Sequence, residues 1–211
     1  RFMEGSLYPL EAGAMRWQYF LNPEMAENIF NSKMRQNVSF TPFDPIYHFS
    51  RSCNSDDPVD KDIYVDIKLT MADSVLMKVD KMSMATSLEV RVPFLDHEVI
   101  ELATSIPAGL KLNGMMTKYI FRKALKKNQF LPDNIIYRGK QGYSLPIKNW
   151  LRDELKDYMI DLFNTSPIIK DNFNRGYISQ LTEEHIALKH NHNHILWALI
   201  NVGLWYKRFF I

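Results

Sequence analysis

Apolar residues recur at helical spacing along most of this chain. The helical stretches are separated by clusters of Pro, Gly, Asn and Asp. The spacing over residues 1–36 predicts helix, with Met15, Tyr19 and Trp17 packing inward. Pro23 opens a new helix after Asn22. Residues 37–61 are rich in Ser, Asn, Asp and Pro and predict an irregular connection. Residues 63–71 and 74–87 predict two helices, with Asp73 as N-cap of the second. Residues 88–95 predict an extended segment. Asp96 is a good N-cap for a helix over 97–105 that stops before Pro107. Thr117 is placed to cap a helix over 118–128, and residues 137–146 form a loop punctuated by Gly139, Gly142 and Pro146. Three further helices are expected over 149–164, 176–189 and 194–210. No alternating pattern signals a strand ladder, so the expected class is mainly α.

The last helix is the most apolar. Its run from Ile195 to Tyr206 has 12 residues and contains Asn201. That is too short to span a bilayer, and a buried core helix is expected. Trp197, Leu199, Leu204 and Trp205 should then be largely buried, with Tyr206, Phe209 and Phe210 also contributing to a core rather than a stacking platform. A chain of 211 residues can build one good core, or one core with an appendage. The net charge of +2 argues against a general nucleic-acid binder. The single cysteine, Cys53, excludes a disulfide framework and suits a reducing compartment, so a cytoplasmic location is expected. No membrane partner is expected. The chain begins with Arg1 and is read as a piece of a longer protein.

Charge changes this picture because it is uneven. Residues 111–152 hold ten bases and one acid, Asp133, a local charge of +9 against −7 for the rest. Such a block suggests an anion such as phosphate, an acidic partner, or a solvated basic helix face. Within it, Gly139 and Gly142 flank Lys140, so the backbone can bend and a compact cation can reach a phosphate. A second concentration of charge lies upstream. Residues 80–97, DKMSMATSLEVRVPFLDH, pack Asp80, Glu89, Asp96, Lys81, Arg91 and His97 around an apolar frame. Charges so close to apolar residues are expected to be partly buried and therefore paired, with each other or with a ligand. Glu89 and Arg91 alternate onto one face of an extended segment, so an ion pair competes with a catalytic role for Glu89. His185, His190, His192 and His194 lie close in sequence, but neither cysteine nor acid completes a tetrahedral set, and no metal site is assigned.

Four ordered stretches, KVDKMSMATSLEVRVPFLDH, GMMTKYIFRKAL, RGKQGYS and HNHNHILWALINVGLWYKRF, resemble the asparagine synthase family of glutamine-dependent amidotransferases. The resemblance covers about residues 62–210, so residues 62–211 are assigned to the C-terminal part of the synthetase domain. Residues 1–61 form a weakly matched helical and irregular segment. The resemblance implies the C-terminal helical portion of an α/β adenine-nucleotide α-hydrolase-like (PP-loop ATP pyrophosphatase) fold. It also implies ATP-dependent adenylation of a carboxylate, normally the aspartate side chain, with Mg²⁺, followed by displacement of AMP by glutamine-derived ammonia. Lys140, in the family's R-x-K-x-G-aromatic loop with Arg138, would stabilise transferring phosphate. Glu89 would polarise or deprotonate the amine. Asp80, Lys81, Arg91 and Arg138 would bind substrate or phosphate.

The family's SGGxDS phosphate loop does not occur in this sequence, and neither does its N-terminal glutaminase cysteine. The chain alone is therefore expected to be inactive and to hold no tightly bound cofactor. Its expected partners are the remainder of the synthetase domain and an N-terminal glutaminase domain, and a homodimer is left open. Two alternatives stand beside this reading. One is a paralogous amidotransferase acting on a sugar or peptide carboxylate. The other is a non-catalytic helical interaction module.

Overall fold

The computed structural model describes residues 20–37, 43–139, 142 and 145–211. Met15, Trp17, Tyr19 and Lys140, singled out above, lie outside the described residues. The chain is mainly α, as its periodicity predicts. Its helices are α1 (Pro23–Ile29), α2 (Ser32–Asn37), α3 (Asp44–Ser52), α4 (Pro58–Asp66), α5 (Met77–Met84), α6 (His97–Ser105), α7 (Ala108–Lys111) and α8 (Tyr119–Lys127). They continue with α9 (Asp133–Ile136), α10 (Ile147–Trp150), α11 (Lys156–Thr165), α12 (Pro167–Asn172), α13 (Arg175–Ile186) and α14 (Asn193–Phe210).

Capping explains some of the helix starts. Asn22 Oδ1 accepts the Met25 N–H at 2.7 Å, and Pro23 supplies a preset φ at the first helical position. Asp57 does the same for Val59 at 2.8 Å ahead of Pro58, and Asp96 for Glu98 at 3.0 Å.

Three expectations are corrected. The segment read as irregular contains α3 and the start of α4. Asp73 caps nothing, because α4 runs through π-helical turns over Ile67–Leu76 directly into α5. Thr117 belongs to a two-stranded hairpin, β1 (Leu112–Asn113) against β2 (Met116–Thr117), and Lys118 takes the cap position with φ +56°. Gly114 makes that hairpin possible by adopting φ +56°.

The described chain divides into two compact units. The first comprises residues 44–139 and 142; the second comprises 20–37, 43 and 145–211. This partition follows packing, whereas the boundary at residue 61 follows resemblance to a family.

The second unit has a continuous core. Ile29, Leu151, Met159, Leu162, Phe163, Ile169, Ile178, Leu181, Ile195, Leu196, Leu199 and Ile200 pack together. The early chain is tied into it by backbone bonds, Asn31 N–H to Asn172 O at 3.0 Å and Asn174 N–H to Ile29 O at 2.8 Å. Gly203 lets α14 approach α11, since a Cβ there would sit 3.2 Å from Leu162 Cγ. The final helix is only half as buried as its composition suggests. Leu199 is buried, but Leu204, Trp205, Phe209 and Phe210 are exposed. The Trp205 ring packs at a tilt against Phe209 and Phe210, and Tyr206 stacks on Phe210 at 5.3 Å. No helix among the described residues is long and apolar enough to cross a membrane.

The first unit differs. Among its described residues the buried side chains are Ile46, Ser50, Val65 and Ile136. Met82, Phe94, Leu102 and Phe130 are each 65% exposed or more.

Candidate functional site

The charged segment 80–97 is built from the end of one helix, an irregular stretch and the start of another. Asp80 and Lys81 lie on α5, which closes with the Ala85 N–H donating to Lys81 O at 3.1 Å. Ser87 takes φ +56° and turns the chain out of that helix. Residues 88–92 then have no regular secondary structure, and Pro93–Leu95 form one 3-10 turn before Asp96 caps α6. Glu89 and Arg91, two residues apart, form an ion pair.

The expectation of partial burial is overturned. Asp80, Lys81, Glu89, Arg91, Asp96 and His97 are all exposed, as are Met82, Leu88, Val90, Val92 and Phe94 around them. The pairing of Glu89 with Arg91 is thus a surface contact, which contributes little to stability by itself. What the geometry provides is a carboxylate and a guanidinium, held side by side on an open apolar surface.

Arg138 is exposed just after α9, where it follows the turn at Tyr137. Other bases of the positive block are occupied. Lys111 Nζ donates to Asp60 Oδ1 at 2.8 Å and to Thr104 O at 2.9 Å, and this bond holds the Asp60 carboxyl below its ordinary range. Lys126 Nζ pairs with Asp133 at 2.8 Å, and Lys123 lies over the Tyr119 ring at 4.6 Å. These are the contacts of a solvated basic face. The described residues supply cations suited to phosphate. Among the described residues there is no group of three or more His, Cys, Asp or Glu that could hold a metal ion.

The second unit holds the feature that sequence reasoning missed. His185 is completely buried. Its Nδ1 accepts the His192 N–H at 3.1 Å, and its Nε2 lies 3.1 Å from Lys148 O. A backbone N–H can only donate, so Nδ1 is the acceptor and Nε2 carries the proton given to Lys148 O. Burial pushes the imidazole pKa down, partly opposed by the Lys148 bond. Arg152 Nε donates to His185 O at 2.8 Å, and His192 Nε2 lies 2.6 Å from Glu184 Oε2. The signal was present in the sequence. His185 continues the stripe of Ile178 and Leu181 at helical spacing. A cavity of 190 Å³ beside α11 and α13 is lined by Ile160, Phe163, Ile169, Ile178 and Arg175 among others.

Curated proteins of one kind are similar to this chain. The chain is 35% identical over 171 residues to asparagine synthetase [glutamine-hydrolyzing] 1 of Bacillus subtilis (strain 168), covering 81% of this chain and 26% of that protein. It is 34% identical over 154 residues to a putative asparagine synthetase [glutamine-hydrolyzing] of Mycobacterium bovis, covering 72% and 23%. A 70-residue stretch, 33% of this chain and 11% of the relative, is 47% identical to asparagine synthetase [glutamine-hydrolyzing] 3 of Bacillus subtilis (strain 168). The chain thus spans about a quarter of the length of the first two relatives. No solved structure matches it. The asparagine synthase family model matches residues 6–207, nearly the whole sequence, so the chain belongs to the asparagine synthase family, whose synthetase domain has the PP-loop ATP pyrophosphatase-like fold.

Proposed function

We propose that this chain is the C-terminal part of the synthetase domain of a glutamine-dependent asparagine synthetase. In the proposed reaction an aspartate side-chain oxygen attacks the α-phosphorus of ATP and pyrophosphate leaves. Ammonia from glutamine then attacks the acyl carbon of the adenylate, and AMP leaves with the electron pair of the broken bond. Glu89 takes the proton lost by the incoming amine. Arg91, paired with Glu89, binds substrate together with Asp80 and Lys81. Lys140 and Arg138 place positive charge where negative charge develops on phosphate.

The observation that carries this reading is the exposed Glu89–Arg91 pair within a segment that the family match covers. An ion pair on an open apolar surface suits a site completed by further polypeptide. The relatives are about four times as long as the matched region, which supplies that polypeptide. The remaining partners follow from the same reading. They are the rest of the synthetase domain, with the nucleotide phosphate loop and the residues that hold Mg²⁺, and an N-terminal glutaminase domain. We place the enzyme in the cytoplasm.

The test is AMP formation from ATP, aspartate and ammonium chloride with Mg²⁺. The full-length enzyme carrying this sequence forms AMP only when aspartate is present. The isolated chain forms none above a buffer blank. AMP formation by the isolated chain, or a full-length enzyme indifferent to aspartate, would overturn the reading.

A further inference from the structure

The cavity of the second unit is lined by residues that the proposed chemistry does not use. It opens between α11, α12 and α13 and has a volume of 190 Å³. Its floor is apolar. Phe163, Ile169 and Ile178 are buried there, with Ile160 and Ile186 half-buried at the sides. Helical spacing builds it. Ile160 and Phe163 fall on one face of α11, and Ile178, Thr182 and Ile186 recur every four residues along α13. The Thr182 hydroxyl donates to its own helix, at Ile178 O, over 2.8 Å.

The mouth is polar and carries charge of both signs. Asn164, Arg175, Ser179 and Glu183 are exposed around it. Ser179 Oγ donates to Glu183 Oε1 at 3.0 Å, so that carboxylate is already engaged. Arg175 differs. Its side-chain hydrogen bond among the described residues is one long contact, from Nη2 to Asn164 Oδ1 at 3.3 Å. A guanidinium is a planar fork of N–H donors, and most of them remain to meet an anion. Arg175 is also the first residue of α13, where the helix adds positive partial charge. Glu183 lies more than two turns further along the same helix, toward its negative end. The two ends of the mouth therefore differ in sign, and the positive end is the one with donors to offer.

We propose that this cavity binds a small apolar monocarboxylate. An aromatic or branched body lies on the floor, and the carboxylate meets the Arg175 guanidinium beside Asn164. Size and charge select this class. An apolar cavity of about 150 Å³ holds benzene, so 190 Å³ takes one ring with a short arm. A second charge on the ligand would rest on Phe163, Ile169 or Ile178 and find no partner there. A cation at the Arg175 end would meet like charge. A carboxylate on a guanidinium is held at two oxygens, which fixes its orientation. The inference concerns binding alone and stands apart from the reaction proposed above.

The test follows the isoleucine methyl resonances of the 211-residue chain during titration with phenylacetate. Three compounds are titrated in parallel: phenylacetamide, which lacks the charge; benzylammonium, which reverses it; and acetate, which lacks the ring. The series is repeated on Arg175→Gln, a change at an exposed position that leaves the core residues in place. The expected result is saturable binding of phenylacetate with a Kd on the order of 1 mM, as a ligand of this size allows. Its shifts centre on the Ile160, Ile169, Ile178 and Ile186 methyls. The other three compounds bind about tenfold more weakly or less. Arg175→Gln weakens phenylacetate about tenfold or more, to the level of phenylacetamide, as loss of a hydrogen bond to a charged group does. Absence of shifts at these methyls with phenylacetate well above that concentration overturns the inference. So does equal binding of phenylacetate and phenylacetamide, or an affinity unchanged by Arg175→Gln, since the cavity is then a plain apolar recess. Should the chain alone not fold, the same methyls in the full-length enzyme carry the titration, and the same outcomes decide it.

Discussion

The two units of this chain solve opposite problems. The second buries Met159, Ile169 and Leu196 completely around a continuous core. The first leaves Met82, Phe94, Leu102 and Phe130 largely in solvent. Both are helical, and each has helices opened by a side-chain cap, Asp57 and Asp96 in the first and Asn22 and Asn174 in the second, so local structure does not account for the difference. Burial does. Helices gain most of their stability from packing an apolar face, and the first unit has no partner for that face within its described residues. The charged residues assigned to catalysis lie on this unpacked unit. On the proposed reading, stability and chemistry are divided between regions, and each should be open to disturbance without the other.

The largest effects should make that division visible. Leu196→Ala removes a fully buried side chain from the second unit and should cost about 2–5 kcal/mol. Urea unfolding followed by Trp150, Trp197 and Trp205 fluorescence reads this directly, since all three lie in that unit. Lys140→Ala in the full-length enzyme should do the reverse. It should lower AMP formation by about 10²–10³ with Tm unchanged, and Lys140→Arg should rescue poorly because a planar fork does not reproduce a compact ammonium. A large fall in Tm for Lys140→Ala would break the division.

Gly203→Ala comes next. Its new methyl would press on Leu162, and overpacking of this kind costs about 1–3 kcal/mol. If stability is unchanged, α11 and α14 are less tightly joined than the structure shows.

The pH response sharpens the comparison further. Burial holds the folded His185 pKa below its ordinary value of 6.5, so below that pH the unfolded chain binds the proton first. The stability of the second unit should be full above about pH 6.5 and should fall as pH drops beneath it. His185→Gln should flatten that part of the curve; an unchanged slope would assign it to another group. The smallest effect belongs to the first unit. Phe94→Ala in the isolated chain should shift stability by no more than about 0.5 kcal/mol, because the ring is already 68% exposed.

The sequence disclosed its helices better than their burial. Asn22 and Asp96 announce helix starts because a cap is a local bond between near neighbours. The hairpin at Gly114 and the helix over Asp44–Ser52 escaped, since polar residues conceal a helix as easily as a loop. Burial is not local. Trp205 looks like a core residue by composition and is exposed, while His185 looks like part of a polar tract and is buried. The candidate site was legible only in part. Glu89 and Arg91 pair as their spacing allows. Their exposure could not be read from spacing, because it depends on which polypeptide covers them.

That covering is the central claim, and hydrogen exchange tests it most directly. Exchange over residues 80–97 and over α14 is compared between the isolated chain and the full-length enzyme. In the isolated chain residues 80–97 should exchange quickly and α14 slowly. In the full-length enzyme residues 80–97 should gain strong protection, with the buried turns of α14 around Leu196 and Leu199 unchanged. Equal exchange of residues 80–97 in both proteins would contradict the account, because the catalytic face would then stand as open in the enzyme as it does in this chain.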